Sequence, residues 1–129
     1  TKELAEILLE EVPRRFNDKK HPATKTFQAI RIFINNELEE LELLLDFISK
    51  HLKIGGRACI ISFHSLEDRM VKRFFRDHSR RDPRLSKLPN LADDSSFKLV
   101  SKAIKPSDEE INLNPRSRSA VLRVVERIK

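Results

Sequence analysis

Tryptophan and tyrosine are missing from this sequence, and phenylalanine supplies all eight aromatic rings. Base-stacking platforms of the RNA-recognition-motif kind use exposed rings on sheet strands, so this composition argues against one. Glycine occurs only as the adjacent pair Gly55-Gly56. No G-x-G spacing exists, which excludes a glycine-rich dinucleotide or phosphate turn within this chain. Cysteine occurs once, as Cys59. Its apolar neighbours suggest a buried thiol in a reducing compartment. With His21, His51, His64 and His78 scattered along the chain, no zinc-ligand spacing is present and no metal site is expected. No apolar run approaches membrane-spanning length and no signal-peptide pattern opens the chain, so the expectation is a cytoplasmic protein. An initiator methionine is also missing. The chain begins at Thr1 directly in helical pattern, as a piece of something longer would.

Charge, by contrast, is abundant. Charged residues make up 36% of the 129 positions and the formal net charge is +6. The length suffices for one domain with a core. The basic excess concentrates in Lys72-Arg73, Arg76, Arg80-Arg81 and Arg84, and again at Arg116 and Arg118. Phosphate is the commonest partner of such surfaces. A solvated surface rich in both signs is the plain alternative.

Apolar periodicity organises the rest. Leu4, Ile7, Leu8 and Val12 lie on one helical stripe that Pro13 ends. Phe27, Ile30, Ile34, Leu38, Leu41, Leu45, Ile48 and Leu52 follow steps of three and four, which predicts one helix over 24–52. Thr24 is its candidate cap and Gly55-Gly56 its stop. Residues 57–63, RACIISF, are almost continuously apolar and read as a central strand covered on both faces. Ser65-Leu66-Glu67-Asp68 then opens a helix, with Ser65 as cap and the two acids at the positive end of the dipole. Its apolar face is Leu66, Met70, Val71, Phe74 and Phe75; Arg69, Lys72, Arg73 and Arg76 form an exposed basic face. Residues 77–96 are polar, contain Pro83 and Pro89, and suggest a mobile loop. Residues 97–104 predict a second strand, which a strand–helix–strand step would pair parallel with 57–63. Ser107 to Glu110 reads as a capped helical turn and 114–119 as a basic loop. Residues 120–128 form a last strand, whose Arg123 and Glu126 suit a position near an edge. A strand as apolar as 57–63 needs neighbours that these elements do not supply.

HPATKTFQAIRIFINNELEELE, LKIGGRACIISFHSLEDRMVKRFF and NPRSRSAVLRVVERI closely resemble segments from the C-terminal half of the MraW family. Its members are S-adenosylmethionine-dependent methyltransferases acting on N4 of a cytidine in bacterial small-subunit ribosomal RNA. The resemblance implies an α/β fold: the C-terminal part of a Rossmann-like class I methyltransferase sheet, parallel strands plus a final antiparallel one. Residues 57–63, 97–104 and 120–128 would be its fifth, sixth and seventh strands. Residues 1–20 would be the tail of a helical insertion, and 21–129 the second half of the methyltransferase domain. The glycine-rich turn by which such enzymes hold S-adenosylmethionine has no counterpart in this chain. The segment alone is therefore expected to be inactive, with the missing N-terminal half and ribosomal RNA as its partners. It is also expected to self-associate.

In such a sheet the carboxyl ends of the parallel strands face the ligand crevice. His64 and Ser65 would sit at its rim, and Asn114, Arg116 and Arg118 would hang over it with guanidinium groups suited to phosphate oxygens. His21, Thr24 and Arg31 would line the cleft beside the helical insertion, where helix N–H groups favour an anion. Against each stands a structural alternative: Ser65 caps its helix while His64 bonds a nearby backbone group, 114–119 is a solvated turn with Arg116 or Arg118 paired to Glu109 or Glu110, and His21 to Thr24 cap their helix while Arg31 pairs with a carboxylate such as Asp68. No residue is assigned as acceptor of the amine proton. A non-catalytic basic RNA-binding module and a purely structural remnant remain the rival functions.

Overall fold

The computed structural model describes residues 1–13, 21–79 and 95–129. They form two compact units, Thr1–Glu40 and Leu41–Lys129.

The first unit contains α1 (Lys2–Glu11), α2 (Ala23–Asn35) and the start of α3 (Glu37–His51). α1 packs against α2. Val12 is extended, as the residue before a proline prefers to be, and closes α1. The single helix predicted over 24–52 is two. Asn36 takes the left-handed conformation at φ 50°, its N–H donates to the Ile32 and Phe33 carbonyls, and its own carbonyl accepts from Glu40 N–H. Asparagine reaches this region at lower cost than most residues, so Asn36 ends one helix and starts the next. Thr24 does not cap α2. His21 does, its Nδ1 accepting from Ala23 N–H at 3.2 Å and its carbonyl from Thr24 N–H.

The second unit is an α/β layer. A three-stranded sheet has the order β1-β3-β2, from β1 (Arg57–Ser62), β2 (Phe97–Leu99) and β3 (Val121–Arg127). β3 is antiparallel to both neighbours. β1 and β2 thus run in the same direction, but they do not pair, because β3 lies between them. The edge position expected for the last strand is likewise corrected. Arg123 and Glu126 fit a central strand because each finds a partner: Arg123 binds Asp68, and Glu126 binds Arg57 across the strands. β2 is shorter than predicted; beyond Leu99 one further bond, from Val100 N–H to the Val124 carbonyl, precedes the Ile104–Leu122 bridge.

β1 alternates rather than being covered on both faces. Ala58 and Ser62 are buried, whereas Cys59, predicted buried, and Ile61 are exposed. Among the described residues β1 pairs on one side only. The inward face, carrying Ala58 and its register partner Val125, packs on α3 and on α4 (Ser65–Ser79). Leu45, Ala58, Val71, Phe75, Phe97 and Val125 form this core, with Leu52, Met70 and Phe74 against it. Leu66, assigned to the apolar face of α4, stands outside it and is exposed. α4 extends to Ser79, so 77–79 are helical; residues 80–94 of the expected loop lie outside the described residues, as do residues 14–20. At the opposite end of β1, Gly55 adopts φ 79° and donates to the Arg127 carbonyl, while Gly56 accepts from Arg127 N–H. That pair of hydrogen bonds fastens the α3–β1 turn to the end of β3.

Candidate functional site

Register decides which loops meet. Ser62 is paired with Val121, so the carboxyl end of β1 abuts the amino end of β3. The chain leaves the sheet through Phe63-His64 at this end. It re-enters here after α5 (Asp108–Leu113) and a 3₁₀ helix (Pro115–Ser119). His64, Ser65, Asn114, Arg116 and Arg118 are thereby gathered at one end of the sheet.

The junction is organised by a carboxylate. Glu67 Oε2 accepts from Phe63 N–H at 2.9 Å and from His64 N–H at 3.3 Å. In return Glu67 N–H donates to His64 Nδ1 at 3.4 Å, and Glu67 Oε1 lies 3.2 Å from His64 Nε2. This is a capping box in which histidine replaces the usual hydroxyl residue. Ser65, expected to cap, is the first helical residue and is exposed. The arrangement holds the imidazole in one orientation, with its side chain about 10% exposed. One residue along, Asp68 forms a two-pronged pair with Arg123, Oδ1 to Nε at 2.7 Å and Oδ2 to Nη2 at 3.0 Å. The first turn of α4 is thus fixed to the central strand. Ser62, on the inward face, is 2% exposed and its hydroxyl makes no hydrogen bond among the described residues. Glu67 and Ser62 were absent from the sequence-level candidates. The H-x-x-E spacing was the available signal for Glu67; nothing in the sequence marks the Ser62 hydroxyl as unpartnered.

The returning loop is equally built. Ser107 Oγ caps α5 by accepting from Glu110 N–H, as its sequence suggests. Asn114 Oδ1 then accepts from Arg116 N–H, and the Asn114 carbonyl accepts from both the amide and the hydroxyl of Ser117. Ser117 is buried, so the neighbouring Arg116 and Arg118 are turned outward and exposed. Neither guanidinium forms an ion pair among the described residues, and the pairing with Glu109 or Glu110 is not made. Just outside β1, on the outward sheet face, Ile61, Leu122, Ala120, Ile104 and Pro106 line an apolar cleft of about 140 Å³, with Lys105 and Glu110 at its border.

His21, Thr24 and Arg31 belong to the first unit. There, His21 is occupied in capping α2 and Thr24 is exposed. Arg31 pairs with Glu37 through Nε–Oε1 at 2.9 Å and Nη2–Oε2 at 3.0 Å, rather than with Asp68. Among the described residues no helix is long and apolar enough to cross a membrane.

The chain is 52% identical over 130 aligned residues to "Ribosomal RNA small subunit methyltransferase H" of Coxiella burnetii strain Dugway 5J108-111. The same identity relates it to the proteins of that name in strains RSA 331 / Henzerling II and CbuG_Q212. Each alignment covers 99% of this chain but 42% of the relative, so the chain spans less than half the length of the curated relatives it matches. Methyltransf_5, the profile of the MraW methylase family, matches residues 1–128, and the chain belongs to that family.

Proposed function

We propose that this chain is the C-terminal segment of a cytoplasmic S-adenosylmethionine-dependent methyltransferase acting on N4 of a cytidine in 16S ribosomal RNA. In this reading the sheet is the 5-7-6 end of a Rossmann-like class I sheet, with β1, β3 and β2 as its fifth, seventh and sixth strands. The observation that carries it is that the His64 junction and the Arg116–Arg118 loop both lie at the end of the sheet where β1 closes and β3 opens, the end at which an open α/β sheet binds its ligands. The order β1-β3-β2, with one reversed central strand, supports the same assignment.

The residues present do not fit S-adenosylmethionine by themselves. Gly55 and Gly56 lie at the amino end of β1, opposite the junction, and their backbone groups are bonded to Arg127. A Cβ on Gly56 would meet the Lys53 carbonyl oxygen at 2.8 Å, so this glycine serves a local turn and not a ligand cradle. The cofactor belongs to the part of the intact protein outside this chain. This segment supplies the substrate wall. Arg116 and Arg118 hold RNA phosphate, Asn114 sets the loop that presents them, and His64, oriented by Glu67, faces the RNA at the rim beside Ser65. His21, Thr24 and Arg31 belong to a further contact on the first unit.

The test has two arms. The intact protein should methylate 16S ribosomal RNA, with N4-methylcytidine recovered from the digested product by mass spectrometry. The 129-residue chain should give no heat of binding with S-adenosylmethionine by calorimetry. A product methylated on another atom, or binding by the isolated chain, refutes the corresponding half. A non-catalytic RNA-binding module would leave the intact protein without methyl transfer.

A further inference from the structure

Among the described residues, most of the positive charge on the outer face of α4 has no acidic partner. Arg69, Lys72, Arg73 and Arg76 follow i, i+3, i+4, i+7, which places them on one stripe of about 10 Å along the helix. All are exposed. The opposite stripe, Met70, Val71, Phe74 and Phe75, is the one against the sheet core. A basic helix face is commonly neutralised by acids on the same helix. Here those acids are used elsewhere. Glu67 holds the Phe63 and His64 amides, and Asp68 holds Arg123 on the sheet side. The remaining acid, Asp77, binds Arg76 at 2.7 Å. Its carboxyl is held below the usual range by the hydrogen bond from Arg76, so it stays charged and keeps that arginine occupied. Arg69, Lys72 and Arg73 form no ion pair among the described residues.

We infer that this stripe is a second RNA-docking surface, gripping phosphates of the substrate's sugar-phosphate backbone on the flank of the sheet, separate from the strand-end rim. It rests on the proposed action on RNA and adds to it a sequence-independent contact. Two features favour RNA. The unpaired groups are mostly arginines, whose planar forks match phosphate. The stripe also holds no aromatic or apolar anchor such as a protein interface core would use. Such contacts set affinity and register on the backbone while leaving the chemical step to the rim.

The experiment uses the intact protein and an RNA fragment carrying the methylation site, titrated across salt. Arg69→Gln, Lys72→Gln and Arg73→Gln combined should lower the slope of log K against log salt by about 2 to 3, since each lost phosphate contact removes about 0.7–0.9. KM for RNA should rise by about tenfold or more near 0.1 M salt, with kcat at saturating RNA and S-adenosylmethionine affinity unchanged. Asp77→Asn should act in the opposite direction, because it releases Arg76 and steepens the slope; no folding defect imitates that. Arg69→Lys with Arg73→Lys, which keeps both charges, should preserve the slope. An unchanged slope in the triple-glutamine variant, with methylation intact, overturns the surface and leaves the proposed activity standing, as it would if the stripe served an acidic protein. Absence of RNA binding and methylation by the unaltered protein removes both.

Discussion

Two side chains at the end of β1 make opposite demands on the fold. Glu67 satisfies the amides of Phe63 and His64 and receives a return bond at the His64 ring. Removing it strips the first turn of α4 of its cap, and Glu67→Ala should destabilise the protein by about 1 kcal/mol, the usual cost of losing a capping side chain. Ser62 is buried with a hydroxyl that bonds nothing among the described residues. Deleting an unpartnered buried hydroxyl relieves a desolvation cost, so Ser62→Ala should be neutral or stabilising by up to about 1 kcal/mol. Urea denaturation of the intact protein measures both. If Ser62→Ala costs stability comparable to Glu67→Ala, the hydroxyl has a structural partner and the contrast fails.

At the level of elements, Asn36 is the position that divides one apolar periodicity into two helices. It holds φ 50° and bonds back to Ile32 and Phe33. Asn36→Gly should therefore be nearly silent, whereas Asn36→Val should cost about 1–2 kcal/mol, the penalty of a branched side chain in left-handed backbone. Equal melting temperatures for the two variants would show that the break is not held by that conformation. The break illustrates what the sequence made legible and what it did not. The stripe from Phe27 to Leu52 reports which residues turn toward a neighbour, and a single αL residue preserves that stripe closely enough to pass unseen. Strand existence was legible from apolar runs at 57–63 and 120–128, and strand direction from the helix between β1 and β2. Strand order was not, because it depends on β3 inserting between partners that precede it, a long-range pairing with no local signal. For the site, topology puts His64 and the 114–119 turn at one end of the sheet, and the Ser62–Val121 register agrees with that placement. The ion-pair partners do not follow from topology: Arg31 chose Glu37 and Asp68 chose Arg123 because of geometry that spacing along the chain does not encode.

For the whole second unit the decisive asymmetry is between the two faces of the sheet. The inward face is sealed by α3 and α4, with Val71 and Val125 fully buried. The outward face has Cys59 and Ile61 of β1 exposed and, among the described residues, β1 has no strand on its other side. Ile61 is 56% exposed and borders the apolar cleft. A free edge beside an apolar face is a template for pairing with another chain unless charge or a bulge blocks it. On the outward side of β1 the one charged group, Arg57, is already tied to Glu126 and gives little protection. The 129-residue chain alone should therefore self-associate, with a light-scattering mass that rises with concentration. Ile61→Lys should reduce that association by placing an unpaired charge on the face another copy would cover, while the far-ultraviolet circular dichroism stays the same. In the intact protein the same substitution should lower stability instead, by about 1–3 kcal/mol, because the face would there be buried and the lysine forced into it. A chain that stays monomeric at high concentration and tolerates Ile61→Lys equally in both contexts would mean that this face is a finished surface. Burial of this face in the intact protein would then be ruled out.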